Sequence, residues 1–392
     1  VVTSTMTYLG KEGNLLHPNE ENARRIFLDT PILTNGEYNQ LLYNYEKDFQ
    51  AATISLEMKG SLENELTRIR KQAVKAIEDG FTLIMLCDNN EDTSVPAVPM
   101  LLAVSSLHQY LVREGLRTKV SLIANSAEAR EVHHFAALIS FGADAINPYL
   151  AYATIYEAID KMYLNMDYQL AIKQFRKGIA EGVVKVMSKM GISTVQSYRG
   201  AQVFEAVGIS KAVIEEHFTG TTSQIDGIDL ETIGEEAKRR HQNAVESMSA
   251  ELESGSEFQW RANGEHHAFN PKTIHTLQWA TRKNDYKMYL QYAEMANEEQ
   301  LGFLRNLFDF KKTDRKIPLE EVESVESIVK RFKSGAMSFG SISKQAHETL
   351  AIAMNRLGGR SNSGEGGEDA SRYELDENGD NRRSAIKQIA SG

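Results

Sequence analysis

The sequence has 392 residues, 41% of them hydrophobic, a formal net charge of −10 and a single cysteine, Cys87. That length buries at least one large core and allows two domains. One cysteine excludes an internal disulfide or a cysteine-ligated cluster within these residues, and the acidic balance argues against a nucleic-acid partner. The sequence shows no apolar run of membrane-spanning length and no secretory signal, so no membrane contact is expected and a cytoplasmic location is.

In chain order, residues 1–35 are polar and rich in turn formers, and read as a linker or the edge of a preceding domain. A first strand is expected from Phe49, with Ser61 as the N-cap of a helix over 63–77. Thr82-Leu83-Ile84-Met85-Leu86-Cys87 is a short, continuously apolar run, as expected of a strand covered on both faces. The unit recurs: helix 95–114, strand 120–124, helix 127–141, strand 143–146. Strands alternating with such helices predict βαβ units and a mostly parallel, barrel-like sheet, open or closed, with ligands at the loops that follow the strands. A charged helix is expected over 234–253, and helices over 271–299 and 300–310. Residues 311–318 are charged and end in Pro318, as at a domain boundary.

Near the C-terminal end lies Gly335-Ala336-Met337-Ser338-Phe339-Gly340, then a helical run 344–357, then Ser361-Asn362-Ser363-Gly364-Glu365-Gly366-Gly367-Glu368-Asp369. Small residues at 335–338 let the backbone lie flat against a ligand. Ala346, Leu350, Ala353, Met354 and Leu357 recur at helical spacing and predict the buried face of that helix. Glycines at 364, 366 and 367 allow backbone N–H groups to converge on an anion. Glu365 and Glu368 point instead to a site that orients a polar substrate beside a cofactor.

Residues 335–369, followed by Ser384-Ala385-Ile386-Lys387-Gln388-Ile389, resemble the start of the FMN-binding synthase domain of the glutamate synthase large subunit. Upstream, Glu128-Ala129-Arg130-Glu131-Val132-His133-His134, Gly142-Ala143-Asp144-Ala145-Ile146-Asn147-Pro148-Tyr149, Gln196-Ser197-Tyr198-Arg199-Gly200 and Glu257-Phe258-Gln259-Trp260-Arg261 are similar to its central domain. Two local departures from the family pattern fall at strand ends, at Asp88-Asn89-Asn90-Glu91 and at Asn125-Ser126-Ala127.

The resemblance implies an α/β central domain at 36–310, a linker at 311–334, and at 335–392 the start of a (β/α)8 FMN-binding barrel. It implies an enzyme that makes L-glutamate from 2-oxoglutarate and glutamine-derived ammonia. Its ammonia comes from a glutamine amidotransferase domain of the same parent chain, and its electrons from an NAD(P)H-oxidising small subunit or ferredoxin through FMN and a 3Fe–4S cluster. Ala336, Met337 and Ser338, with Lys387 and Gln388, match strand ends expected beside the flavin. Ser363, Gly364, Glu365 and Gly366 match a loop expected to border the substrate pocket and the channel exit. The remaining strands, the phosphate-holding loops and the cluster cysteines of the family are not among these residues, so no complete catalytic set, no bound cofactor and no activity are expected of this segment alone. The tail after Gly335 is expected to be disordered, or to rest on the central domain or on another copy.

Other candidates are weaker. Adjacent histidines at 133–134 and 266–267 cannot both face one ion, so no metal site is expected, only hydrogen-bonded histidines between domains. Cys87 is expected to be an inert buried thiol and Arg199 a structural salt bridge rather than an anion site. A self-contained FMN-dependent αβ-barrel oxidoreductase needs a phosphate loop, for which Phe218-Thr219-Gly220-Thr221-Thr222 offers one glycine. A non-catalytic subunit-docking scaffold is the remaining alternative.

Overall fold

In the computed structural model, residues 3–44, 46–89, 92–246, 255, 257–299, 302–312 and 316–389 are described. The expectations that fall on residues 90–91, 247–253, 300–301, 313–315 and 390–392 lie outside them. The chain divides into two compact units, 1–252 and 253–392.

The first unit begins with β1 (Thr7–Leu9) and β2 (Ile26–Leu28), an antiparallel pair, and helix α1 (Asn35–Leu42). Then β3 (Ala51–Ser55), α2 (Leu62–Glu78), β4 (Leu83–Cys87), α3 (Met100–Arg113), β5 (Ser121–Asn125), α4 (Val132–Ser140) and β6 (Ala145–Asn147) alternate. The four later strands form one parallel sheet in the order β3-β4-β5-β6. Each crossover is a helix, the expected way to join parallel neighbours. Ser61 caps α2, its hydroxyl accepting from the Asn64 N–H at 3.3 Å.

Because strand side chains alternate, the apolar run of β4 splits between two cores. Ile84 and Leu86 join Ile54, Leu122, Ala124 and Ile146 under helices α2 to α4, whereas Leu83 and Met85 join Ile123 and Ala145 against Leu9, Leu33, Tyr38 and Leu41. All four β4 residues from Leu83 to Leu86 are 0% exposed, at about 1.5–3 kcal/mol of transfer free energy each. The second core assigns a role to the N-terminal segment. Residues 1–35 read as a linker or edge in sequence, yet Leu9, Ile32 and Leu33 are fully buried. The Leu33 N–H donates to the Ile146 carbonyl and the Ile146 N–H to the Pro31 carbonyl, so 31–33 extends the sheet beside β6. Spaced turn residues conceal short strands that are fixed only by long-range pairing.

Helices α5 (Tyr149–Asp160), α6 (Tyr168–Lys189) and α7 (Val195–Tyr198) follow. Then come β7 (Glu205–Ile209), α8 (Lys211–His217), β8 (Thr222–Ile228) and α9 (Leu230–Glu246). Strands β7 and β8 pair in parallel as a separate two-stranded sheet. Among the described residues the larger sheet stays open, so the α/β class holds without a closed barrel.

In the second unit, the expected helix over 271–299 is two, α10 (Pro271–Lys283) and α11 (Tyr286–Glu298). Asn284 is left-handed at φ 52°, ending α10, and Asp285 restarts the chain by accepting from the Lys287 and Met288 N–H groups. In place of the helix expected over 300–310, the described residues hold one 3-10 turn, Leu304–Leu307. Helix α12 (Val325–Val329), β9 (Lys333–Ala336), α13 (Lys344–Leu357) and β10 (Arg360–Asn362) complete the unit. Disorder, one expectation for the tail, is not what residues 335–389 show.

Candidate functional site

The tail is built on three parallel segments. Ala336 of β9 pairs with Asn362 of β10, and Asn362 with Ile386. The third segment is locked by the Ser363 N–H donating to the Ile386 carbonyl at 3.0 Å and the Ile386 N–H donating to the Ser361 carbonyl at 2.9 Å. Consequently all three groups of candidate residues gather at the same, carboxyl, edge: Ala336 ends the first strand with Met337 and Ser338 after it, Ser363, Gly364, Glu365 and Gly366 follow the second, and Lys387 and Gln388 the third. In parallel α/β sheets that edge is where ligands bind.

The loop after β10 lies on the turn after β9. A Cβ built on Gly364 would meet Ser338 Oγ at 2.7 Å, and one on Gly366 the Phe339 carbonyl oxygen at 2.5 Å. The Glu365 N–H donates to Ser338 Oγ at 3.3 Å and the Gly364 N–H to Asn362 Oδ1 at 3.0 Å. Two of the N–H groups read as an anion cradle are therefore committed internally. Gly335 and Ala336 are exposed, and a Cβ on Gly335 would meet nothing within 4 Å. These open positions end their strand at the same carboxyl edge as Lys387, whose side chain is 36% exposed.

Behind this edge is a polar group that the sequence reading missed except for Glu368. Arg372, 2% exposed, donates through Nε and Nη2 to the Arg382 carbonyl at 2.8 and 2.6 Å, and its guanidinium lies 3.2 Å from Glu368. His347, 3% exposed, sits on the buried face of α13 together with Ala351. The predicted face is corrected accordingly: Ala346 and Ala353 are exposed, and Leu357 is 60% exposed. Hydrophobicity alone placed the stripe one position off, because a histidine with both ring nitrogens bonded takes a core position. Burial pushes the Glu368 carboxyl up, and Lys387, Ser384 and Arg372 more than offset it, holding it below the usual carboxylate range.

In the first unit, the last paired row of the sheet is Ser55, Cys87, Asn125 and Asn147. Asn147 Nδ2 donates to Asn125 Oδ1 at 3.0 Å and Asn125 Nδ2 to Cys87 Sγ at 3.0 Å. Burial raises the Cys87 thiol above its ordinary value, the environment of an unreactive cysteine. The two departures from the family pattern meet here, since Asp88 accepts from Ser126 Oγ at 3.0 Å and from the Ala127 N–H at 2.9 Å. Arg199 pairs with Asp144 and, at 3.3 Å, with Glu12, a structural network rather than an open anion site. His134 lies 3.5 Å from Glu131 and His266 2.6 Å from Glu299, each pair within its own unit. Among the described residues no group of three His, Cys, Asp or Glu is placed to hold a metal, and no helix is long and apolar enough to cross a membrane.

The class defined so far is an α/β protein with polar residues gathered at the carboxyl edges of parallel strands. Residues 1–210 match the glutamate synthase central domain, and residues 267–392 the conserved region in glutamate synthase. Over its full length the chain is 62% identical to the glutamate synthase [NADPH] large chain of Bacillus subtilis, covering 26% of that protein. It is 41% identical to glutamate synthase [NADH] of Schizosaccharomyces pombe, covering 19%, and 38% identical to ferredoxin-dependent glutamate synthase 2 of Synechocystis, covering 28%. The chain belongs to the glutamate synthase family, and spans roughly a quarter of the length of these relatives.

Proposed function

We propose that this chain is the middle of a glutamate synthase that forms L-glutamate from 2-oxoglutarate and glutamine-derived ammonia by reductive amination. In this reading residues 36–310 are the central, ammonia-channelling and domain-connecting part, 311–334 a linker, and 335–392 the first strands of the FMN-binding domain. The observation that carries it is the gathering of the three candidate segments at one carboxyl strand edge, in a chain of this family. The alternatives of a self-contained flavoenzyme or a docking scaffold have no comparable support.

FMN would supply the hydride chemistry. The backbone of Ala336, Met337 and Ser338, with the small side chains of 336 and 338, would border its ring, and Lys387 and Gln388 would approach its polar edge. Ser363, Gly364, Glu365 and Gly366 border the substrate and the channel exit, with the Glu365 N–H and Ser338 hydroxyl keeping the loop in register. A closed route for ammonia prevents its protonation and loss. The rest of the barrel, a 3Fe–4S cluster and an amidotransferase domain belong to the same reading. So do a cytoplasmic location and an electron donor that is an NAD(P)H-oxidising small subunit or ferredoxin; the similar proteins include NADPH, NADH and ferredoxin-dependent glutamate synthases.

The test is FMN titration, followed by absorbance, of this segment and of a chain extended through the remaining barrel. Uptake by the longer form alone is expected. Tight stoichiometric binding by residues 1–392 would refute the division into domains.

A further inference from the structure

Lys387 ends a continuous chain of hydrogen bonds and one ion pair that begins just after the first strand. Lys387 Nζ donates to Glu368 Oε2 at 2.6 Å and to the Ser384 carbonyl at 2.5 Å. The other carboxylate oxygen, Oε1, accepts from the Ser384 N–H at 2.9 Å and lies 3.2 Å from Arg372 Nη2. Arg372 Nη1 is 2.6 Å from His347 Nδ1, and His347 Nε2 is 2.9 Å from the Met337 carbonyl oxygen. A guanidinium only donates and a carbonyl only accepts, so the ring carries its hydrogen on Nε2 and accepts at Nδ1. The partners thus fix the tautomer.

We propose that Glu368 is a positioning residue for Lys387, holding its ammonium at the strand edge where Ala336 to Ser338 end, with Arg372 and His347 tying that position to the first strand. This rests on the reading of Lys387 as a flavin-side residue. Lysine carries its charge on a flexible four-carbon stem and reaches one place only when a fixed acceptor holds it. The Glu368 side chain is 1% exposed and held at Oε1 by the Ser384 N–H and the Arg372 guanidinium, so Oε2 is a fixed acceptor. Arg372 and Ser384 hold that carboxylate from the buried side. Lys387, at 36% exposed, is the one partner that faces outward.

The experiment measures the midpoint potential of bound FMN at one pH in a full-length large chain carrying this segment, for the parent, Lys387→Met, Glu368→Gln and the double variant. Electrostatics makes the sign diagnostic. Removing a carboxylate near the flavin raises its potential, whereas losing the placement of a nearby cation lowers it. A downward shift is expected in Glu368→Gln, of the same sign as in Lys387→Met, and the double variant should lie no lower than Lys387→Met alone. An unchanged or raised potential in Glu368→Gln, with Lys387→Met lowered, overturns the proposal. If Lys387→Met itself leaves the potential unchanged, the placement of Lys387 beside the flavin fails, and this inference with it. Should Glu368→Gln not hold FMN, Glu368→Asp keeps the charge beside Arg372 but draws it back from Lys387. It too should lower the potential, and an unshifted value counts against the positioning role.

Discussion

Gly364 sits at φ 62° with its α-carbon turned onto Ser338, so that a Cβ there would lie 2.7 Å from Ser338 Oγ and 2.8 Å from the Ser338 nitrogen. Two penalties therefore act together on Gly364→Ala. The left-handed backbone costs an L-residue about 1–2 kcal/mol, and one of the two contacts is with main chain, which cannot rotate away. Urea denaturation should show destabilisation of at least that size, against a negligible effect for Gly379→Ala once its own left-handed cost is subtracted, since a Cβ on Gly379 meets nothing within 4 Å. Equal losses at the two sites would show that the loop does not press on Ser338.

Asp88 gives a pH dependence of definite sign. Burial, outweighing hydrogen bonds from Ala127, Tyr149 and Ser126, raises its carboxyl to about 6. The folded chain therefore holds this proton more tightly than the unfolded one. The contribution is fully present below about pH 4 and is lost as pH rises through about 6, a change on the order of 1–3 kcal/mol. Asp88→Asn cannot ionise, so its stability relative to the parent should climb between pH 4 and 7. The slope of that difference is the measurement, and a flat line contradicts the assignment.

His108 acts in the opposite direction. Its Nδ1 accepts from Arg117 Nε at 3.0 Å, and burial, with Arg117 and Arg199 nearby, lowers it to about 3. As pH falls through about 6.5 the unfolded chain takes up a proton that the folded chain refuses, so stability present above that pH is lost toward pH 3. His108→Gln keeps an acceptor for Arg117 without the titration. Denaturation midpoints from pH 6.5 to 4 should fall less steeply in the variant, by up to about 1.4 kcal/mol per pH unit.

Gly182 separates helix propensity from packing. Within an exposed helix, Gly→Ala stabilises by about 1 kcal/mol. On α6, however, a Cβ at 182 would overlap the Val132 side chain of α4, and overpacking costs about 1–3 kcal/mol. Thermal melts should show Gly182→Ala less stable than the parent, and Val132→Ala added to it should return much of the loss. Stabilisation by Gly182→Ala alone would mean that α4 and α6 are not in contact there.

The four-strand sheet was legible because each strand is a short apolar run closed by turn residues and each crossover is an amphipathic helix of ordinary length. Ser61 capped α2 as its position predicted, a relation confined to three residues. The break at Asn284 was missed since an αL cap by asparagine leaves the helical periodicity intact on both sides. The candidate segments after Ala336, Asn362 and Ile386 were found through their small residues and family words, whereas His347 and Arg372 gave no signal, a lone histidine in a helix and an arginine in a charged loop being unremarkable in sequence.

By itself the sequence determined the α/β class, the alternation of strands and helices through the four-strand sheet, and the family, since these rest on local periodicity and on words of adjacent residues. Only the tertiary structure decided which face each residue of β4 takes and that residues 31–33 complete the sheet. It also decided that Met337, His347, Arg372, Glu368 and Lys387 form one chain of contacts. Those partners are up to dozens of residues apart, and which donor meets which acceptor depends on strand register and on helix rotation, quantities that packing alone fixes.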